Sequence, residues 1–511
     1  MLIRGGRVLT MDPVLGDFEQ ADLLIEDDVI REVSPSIDIG TFEAIEVVDA
    51  SNMIVMPGFV DCHRHMWQTQ LRAITADWSL FDYSARIRSV YSSFYEPEDA
   101  YLGCYAGFLE AINAGTTTIV DHAHIMNSSD HADEVVRAFR DSGMRGILCY
   151  GLFNNPRPEN TVGISVFETP QWMLDDVRRV RKEHFASDKG RVSMGLALTE
   201  TEWFPSELAR REIEFAREMG AKRISIHAGM AALSRHTRYV ERLDRLGLMD
   251  SDLLFVHGSS LSDNDLRCIA EHGAAVVSTP ETELQMGMGF PVLSRVMAGG
   301  GRPALGIDIV SNNSADMFTQ IRLNLQVQRA IENDSLGKKG MMPRNIRLKA
   351  RDLLEIATIG GAGAIGLDST VGSLAPGKQA DLIMVRADTV NMIPVNDPAA
   401  AVVMCANVGD VDTVMIGGTI RKRNGRLTGV DWPLVSRKLV ASRDRIIEGG
   451  HRKGFSMSER MAAEIFPTTP GIAWQTMFAG MLMRVPFLRE PLLRMVMKQM
   501  RAKVDNLTQT L

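Results

Sequence analysis

Four apolar runs, far apart in the chain, each lead into side chains that bind divalent metals. Met53-Ile54-Val55-Met56 runs through Pro57-Gly58-Phe59-Val60-Asp61-Cys62 into His63-Arg64-His65. Arg223-Ile224-Ser225-Ile226 leads into His227, Leu253-Leu254-Phe255-Val256 into His257, and Pro303-Ala304-Leu305-Gly306-Ile307 into Asp308. Short apolar runs of this kind read as strands buried on both faces, as in parallel sheets. Side chains alternate along a strand, so His63 and His65 are expected on one side and Arg64 on the other. In a parallel α/β barrel the functional groups stand at the C-terminal ends of different strands. Each of these histidines alone is more often a hydrogen-bonded structural residue than a ligand. Four histidines and an aspartate, all at strand ends, point instead to a metal centre.

At these residues the chain resembles the amidohydrolase superfamily, in particular the branch with cytosine deaminase, 8-oxoguanine deaminase and atrazine chlorohydrolase. Further matching motifs are Gly115-Thr116-Thr117-Thr118-Ile119-Val120-Asp121-His122, Leu305-Gly306-Ile307-Asp308 and Gly372-Ser373-Leu374-Ala375-Pro376-Gly377-Lys378-Gln379-Ala380-Asp381-Leu382. The resemblance runs to about Leu427 and concerns the fold first, because one fold hosts many chemistries. It implies an α/β protein with a (β/α)8 TIM-like barrel over 57–370. Residues 1–56 and 371–429 both read as short strands separated by turns, and neither set closes a sheet alone. One small β-sandwich built from both chain ends is the economical reading. Beyond it, 430–511 reads as a helical C-terminal extension rich in methionine and arginine.

Composition adds bounds. A length of 511 residues accommodates a barrel with a smaller domain, and the net charge of -8 disfavours nucleic acid as a partner. Five scattered cysteines without a Cys-x-x-Cys give neither a disulfide framework nor a thiolate zinc site, which fits a reducing cytoplasm. The start lacks a secretory pattern, and the apolar stretch 471–483 is too short to span a bilayer. In the tail, Leu493, Val496, Met497 and Met500 recur at helical spacing beside Arg494, Lys498 and Arg501. A helix packed on the barrel or on a sister subunit, a lid over the site and a membrane-surface helix all fit that pattern. The expected partners are a small-molecule substrate and further copies of the chain in a homo-oligomer.

Three imidazoles and a carboxylate suit one borderline divalent cation, Zn²⁺ first, with Fe²⁺ or Mn²⁺ as alternatives. His63, His65, His227 and Asp308 are assigned as ligands. Bound water at such a centre has its pKa lowered towards ~7. By analogy with the family, Asp308 takes the proton from that water and His257 hydrogen-bonds the nucleophile or the polarised substrate atom. Relatives with two metals carry a bridging lysine on a middle strand, and Met194-Gly195-Leu196-Ala197-Leu198-Thr199-Glu200 has none. A mononuclear centre is therefore expected.

The departure from the family lies three residues after His227. Deaminases of this branch place a proton-shuttling glutamate there, whereas this chain has Met230. General acid catalysis is worth ~10²–10⁴-fold, so a poor leaving group needs a replacement. Glu283, in Pro280-Glu281-Thr282-Glu283, stands where relatives carry an asparagine and is the first candidate. The alternative is that Glu281 and Glu283 are solvated acids or ion partners of Arg72 or Arg302. Glu200 and Glu202 are a second reserve. His122 is expected at the substrate or behind a ligand, and His124 ends the same strand. Trp67 and Gln68 are expected at the pocket mouth, with Trp67 able to stack on a ring or simply to pack.

The leading expectation is a metal-dependent hydrolase acting on a carbon–nitrogen bond other than a peptide, in a small cyclic or heteroaromatic substrate. Deamination, cyclic amide hydrolysis and dechlorination all fall within it. A lactonase, decarboxylase or hydratase-like activity on a more apolar substrate is the alternative, suggested by Met230 and Met286-Gly287-Met288-Gly289. A non-catalytic scaffold would have no need of all four ligand positions.

Overall fold

The structure is a computed structural model that describes residues 1–38, 40, 45–158, 169–187, 189–230, 234–465 and 468–509. Eight parallel strands form the barrel: Phe59–Arg64, Thr116–Ala123, Arg145–Gly151, Val192–Ala197, Ile224–Ala228, Leu253–His257, Ala275–Ser278 and Arg302–Leu305. They pair in chain order, with helices such as Pro97–Asn113 and Ser129–Ser142 returning the chain between strands. That order is what right-handed βα repeats produce. The barrel closes through its chemistry-bearing residues. Asp308 N–H donates to the His63 carbonyl at 2.9 Å, and His65 N–H donates to the Asp308 carbonyl at 2.8 Å.

Met53–Pro57 and Phe59–Arg64 are two strands, not one, and they belong to different sheets. The apolar run Met53–Met56 therefore does not itself carry the histidines. Gly58 makes the break possible: a Cβ there would lie 2.1 Å from the Thr117 side chain, so any other residue would push the two segments off the barrel. Met53–Pro57 pairs antiparallel with Leu382–Arg386 and parallel with Leu2–Val8. Through it both chain ends join in one continuous nine-stranded sheet. That sheet has its own core, in which Ile3, Leu23, Val55, Leu382, Met384 and Met415 are buried. Arg145 at the bottom of the third barrel strand donates to Asp381 at 2.7 Å and ties the barrel to this sheet.

The tail forms helices Trp432–Lys453, Ser456–Ile465, Pro470–Met483 and Pro486–Gln509. The first packs on the barrel helix Pro97–Asn113, where Ile446 is buried and Arg445 pairs with Asp99. Gly449 and Gly450 bring it against Phe94 and Tyr91. Leu493 is buried, and Glu490 bonds Ser206. Packing on the barrel thus accounts for these contacts, although Trp474, Phe478 and Phe487 remain exposed. No described helix is long and apolar enough to cross a membrane.

Candidate metal centre

His63 lies on the first barrel strand and His65 one residue past its end, which leaves both rings on the same side. They meet edge to face with centroids 4.7 Å apart. His227, from the fifth strand, brings its Nε2 to 3.4 Å from His63 Nε2. Asp308, just beyond the eighth strand, places Oδ1 3.4 Å from His63 Nε2 and 3.2 Å from His65 Nε2. Ligand atoms of His63, His65 and His227 all lie within 4.8 Å of one another. Three imidazole nitrogens and a carboxylate oxygen thus converge from three parts of the barrel rim, a donor set that fits a divalent cation. Burial drives the His63 pKa well below its ordinary value and lowers that of His65, so both rings are neutral donors. Burial also opposes the Asp308 charge, yet His63 and His65 hold its carboxyl well below the usual range.

The residues behind these donors fix their tautomers. His65 Nδ1–H donates to the His122 carbonyl at 2.7 Å, leaving Nε2 for the centre. His227 Nδ1 bonds Glu200 Oε1 at 3.1 Å, with the same consequence. The His122 ring stacks on His227 at 4.3 Å, and its Nδ1 lies 2.9 Å from Ser225 Oγ. Asp61 Oδ1 accepts from the Ile307 and His63 backbone N–H groups, at 3.1 and 3.3 Å, bracing the closure from inside. Two of the residues at the rim have left-handed backbones rare outside glycine: His257 at φ 75 and Asp308 at φ 73. Strain of this kind persists where surrounding bonds over-determine it, and it clusters at functional sites.

His257 joins the cluster, with its ring 5.4 Å from that of His227. Its Nδ1 lies 2.9 Å from Thr279 Oγ1 and 3.8 Å from Glu283 Oε1. Burial works against the charged form. The nearby carboxylates of Glu283, Asp308 and Glu200 outweigh it and leave the His257 pKa raised.

Glu283 is neither a pocket acid at the centre nor a solvated one. Pro280 starts a short helix, Pro280–Gln285, and makes Thr279 its N-cap. Glu283, four residues after that cap, reaches back to its backbone N–H. Thr279 N–H donates to Glu283 Oε1 at 2.7 Å, and Ser278 Oγ donates to Oε2 at 2.8 Å. The fully buried carboxylate therefore backs His257 rather than facing a substrate. Glu281 accepts from Ser314 Oγ at 2.7 Å, while Arg72 pairs with Glu110.

Glu200, from the loop after the fourth strand, is the carboxylate that touches a ligand. Its Oε2 is buried and has no hydrogen-bond partner among the described residues. Burial opposes its charge, but His227 and Arg88 nearby hold its pKa below the ordinary value. Glu202 instead anchors the loop after His227, accepting from Gly229 N–H at 3.1 Å and from Ser234 and Thr237 hydroxyls, both at 3.0 Å. Burial raises its pKa to about 7. Met230 packs half-buried against the core.

Trp67 is fully buried and packs edge to face on Tyr95 at 4.9 Å, not at a mouth. Gln68 is buried too, donating to Tyr83 Oη at 2.7 Å and accepting from Ser311 Oγ at 2.9 Å. Phe153 brings its ring to 6.1 Å from that of His124, and the Arg88 guanidinium lies over the Phe153 ring at 4.1 Å. Neither residue belongs to a motif in the sequence. His124 stacks on His65 at 4.1 Å, and neither of its ring nitrogens has a partner.

The family model of the amidohydrolase family matches residues 54–421. A 5-methylthioadenosine/S-adenosylhomocysteine deaminase of Desulforudis audaxviator (strain MP104C) is 27% identical over 459 residues, covering 88% of this chain and 99% of its own. An adenosine deaminase from Xanthomonas campestris, solved with bound zinc, superposes with a TM-score of 0.77 at 24% identity, covering 88% of this chain and 98% of that one. Atrazine chlorohydrolase from Arthrobacter aurescens, complexed with zinc, reaches 0.74 at 21% identity, covering 86% and 99%. Both structures share the fold, and the family match spans the barrel with all four candidate ligands. The chain belongs to the amidohydrolase family and is a metal-dependent hydrolase.

Proposed function

We propose that this hydrolase, which acts on carbon–nitrogen bonds, deaminates a heteroaromatic amine of the aminopurine type, using one zinc ion held by His63, His65, His227 and Asp308. The observation that carries the reading is Glu200. The carboxyl absent three residues after His227 is replaced by one from the neighbouring strand end, bonded to His227 through Oε1 and free at Oε2. The similarity to a deaminase of adenosine-type substrates supports the same reading.

When bound, the ion supplies Lewis acidity and a water that is nucleophilic at neutral pH. With the ion in place, Asp308 would be the group that accepts a proton from the nucleophile. His257, held by Thr279 and backed by Glu283, donates a hydrogen bond to the oxygen that adds to the ring. Glu200 Oε2, ionised at rest, would take up the two protons that the nucleophile releases by way of Asp308 and pass one to the ring nitrogen and one to the departing amine. Removing such an acid costs about 10²–10⁴-fold when the leaving group needs a proton.

Chloride needs none, so paired substrates test the assignment. Adenosine and 6-chloropurine riboside, offered to the zinc-loaded enzyme, release ammonia and chloride respectively. The expected result is ammonia release that Glu200→Gln lowers far more than chloride release. Equal losses on both substrates would remove Glu200 from proton transfer. Chloride release with no ammonia from any aminopurine would replace deamination by hydrolytic dechlorination.

A further inference from the structure

We propose that Arg88 is the specificity residue of the substrate chamber and that the substrate presents it with a carboxylate. The inference deepens the proposed function, resting on that reading for the location of the chamber.

Arg88 ends a π-helical turn, Ser84–Arg88, of the sort that often marks functional sites. Its side chain is 6% exposed, and both Nη1 and Nη2 are buried without a hydrogen-bond partner among the described residues. Other buried arginines are answered within the fold. Arg145 meets Asp381 at 2.7 Å, Arg64 meets Glu110 at 3.2 Å, and Arg242 donates to the Glu202 carbonyl at 3.1 Å. A guanidinium does not escape burial by shedding its proton, and Arg88 keeps a pKa of about 10 despite desolvation. Glu200 acts on it through its charge but forms no hydrogen bond with it, and buried donors left unfilled are unfavourable unless something outside the chain completes them.

The position of the charge says what completes it. The guanidinium lies over the Phe153 ring, 4.1 Å from its centroid. Phe153 follows the end of the third barrel strand, and its ring is 6.1 Å from that of His124. His124 in turn stacks at 4.1 Å on the ligand His65. Through Phe153 and His124 the guanidinium is thus placed one ring beyond the candidate ligand His65. The Tyr83 hydroxyl is already bonded to Gln68, and Glu200 Oε1 to His227, so neither is committed to Arg88. Stacking on Phe153 orients the planar fork and leaves two Nη groups side by side. Two parallel donors in one plane match a carboxylate in bidentate fashion. The substrate then spans the chamber, with its amine at the metal end and its carboxylate on Arg88.

Calorimetric titration of the zinc-loaded enzyme with benzoate and with its neutral counterpart benzamide tests this without turnover. Wild type should bind benzoate about tenfold or more tightly than benzamide. Arg88→Met should erase that preference while leaving benzamide affinity unchanged, and Arg88→Lys should keep part of it. Benzoate should raise the melting temperature of wild type and not of R88M. R88M alone should melt no lower than wild type, because it removes an unpaired buried charge. Equal affinities in wild type, or a benzoate preference that survives R88M and so belongs to the metal alone, would overturn the assignment. A lower melting temperature with both ligands lost in R88M and R88K would make Arg88 a structural residue and overturn it equally. Ammonia release is read separately, so loss of deamination with the benzoate preference intact sinks only the reaction.

Discussion

Glu200 Oε1 and His227 Nδ1 lie 3.1 Å apart, and that bond ties the loop after the fourth barrel strand to a candidate ligand from the fifth. It holds the proton on Nδ1 and turns Nε2 towards His63, whose own Nε2 is 3.4 Å away. Glu200 thus sets a carboxylate beside His227 from the neighbouring strand end, while Met230, three residues after His227, packs half-buried against the core.

Glu200→Ala should therefore weaken metal binding as well as catalysis. Carboxylates that orient a ligand histidine are typically worth 10–100-fold in metal affinity or activity. Competition with a chromophoric chelator at fixed pH measures the zinc affinity directly. An unchanged affinity would show that the bond to His227 does not orient the ring for the metal.

His63→Ala removes the nitrogen that lies 3.4 Å from both Asp308 Oδ1 and His227 Nε2. The expected outcome is a folded protein with almost no bound zinc and background turnover. Circular dichroism, metal analysis and an ammonia assay on the same preparation separate these effects. Full zinc occupancy with activity intact would place the centre elsewhere.

Glu283→Ala leaves the Thr279 N–H and Ser278 hydroxyl without their acceptor in a fully buried place. Stranding a buried donor costs about 1–3 kcal/mol, so the variant should melt several degrees lower. Glu283→Gln restores an acceptor oxygen and most of the stability, yet not the negative charge behind His257. Turnover should stay low in both variants while KM changes little. Recovery of full turnover in E283Q would make Glu283 a cap and nothing more.

The barrel and the convergence of its candidate ligands were readable in the sequence because they depend on local rules. Apolar runs mark strands, and strand ends in a barrel converge whatever the loops do, so His63, His227, His257 and Asp308 could be placed together. Glu283 was harder to read. It sits in a family-like position, but Pro280 turns the strand end into a helix whose cap consumes the carboxylate. Glu200 and Arg88 depend on loop paths that no periodicity encodes, and only packing shows which charge is answered. Trp67 next to His65 looked like a lining residue, whereas the turn Met66–Leu71 carries it into the core against Tyr95.

Arg145 and Asp381 bridge the barrel and the sheet built from the chain ends. The pair is bidentate, at 2.7 and 3.1 Å, and Asp381 Oδ1 also accepts from Gly417 N–H at 2.7 Å. Breaking a buried pair by removing one partner is expected to cost about 3–5 kcal/mol. Arg145→Ala should therefore destabilise strongly in urea, and Arg145→Met with Asp381→Leu together should cost less than the sum of the two single changes. Additive losses in a double-mutant cycle would mean the two sites act independently.

Glu212 gives stability a pH dependence away from the metal. Its buried carboxyl lies just past the C-terminal end of the fourth barrel strand, accepting from Thr199 N–H at 3.0 Å, Thr199 Oγ1 at 2.8 Å and Thr169 Oγ1 at 2.5 Å. Burial raises its pKa from 4.5 to about 7 against the pull of those bonds. The folded protein then holds a proton that the unfolded chain releases, so unfolding is coupled to proton loss. The contribution of this group is full below about pH 4.5, and it declines as pH rises through 7. Between pH 5 and pH 8 the loss amounts to about 2–3 kcal/mol. Glu212→Gln keeps the shape and cannot ionise. The stability advantage of wild type over E212Q should therefore shrink by about that amount from pH 5 to pH 8 in urea titrations. An advantage that stays constant would mean the carboxyl titrates alike in both states, and a growing one would mean it is held charged in the folded protein.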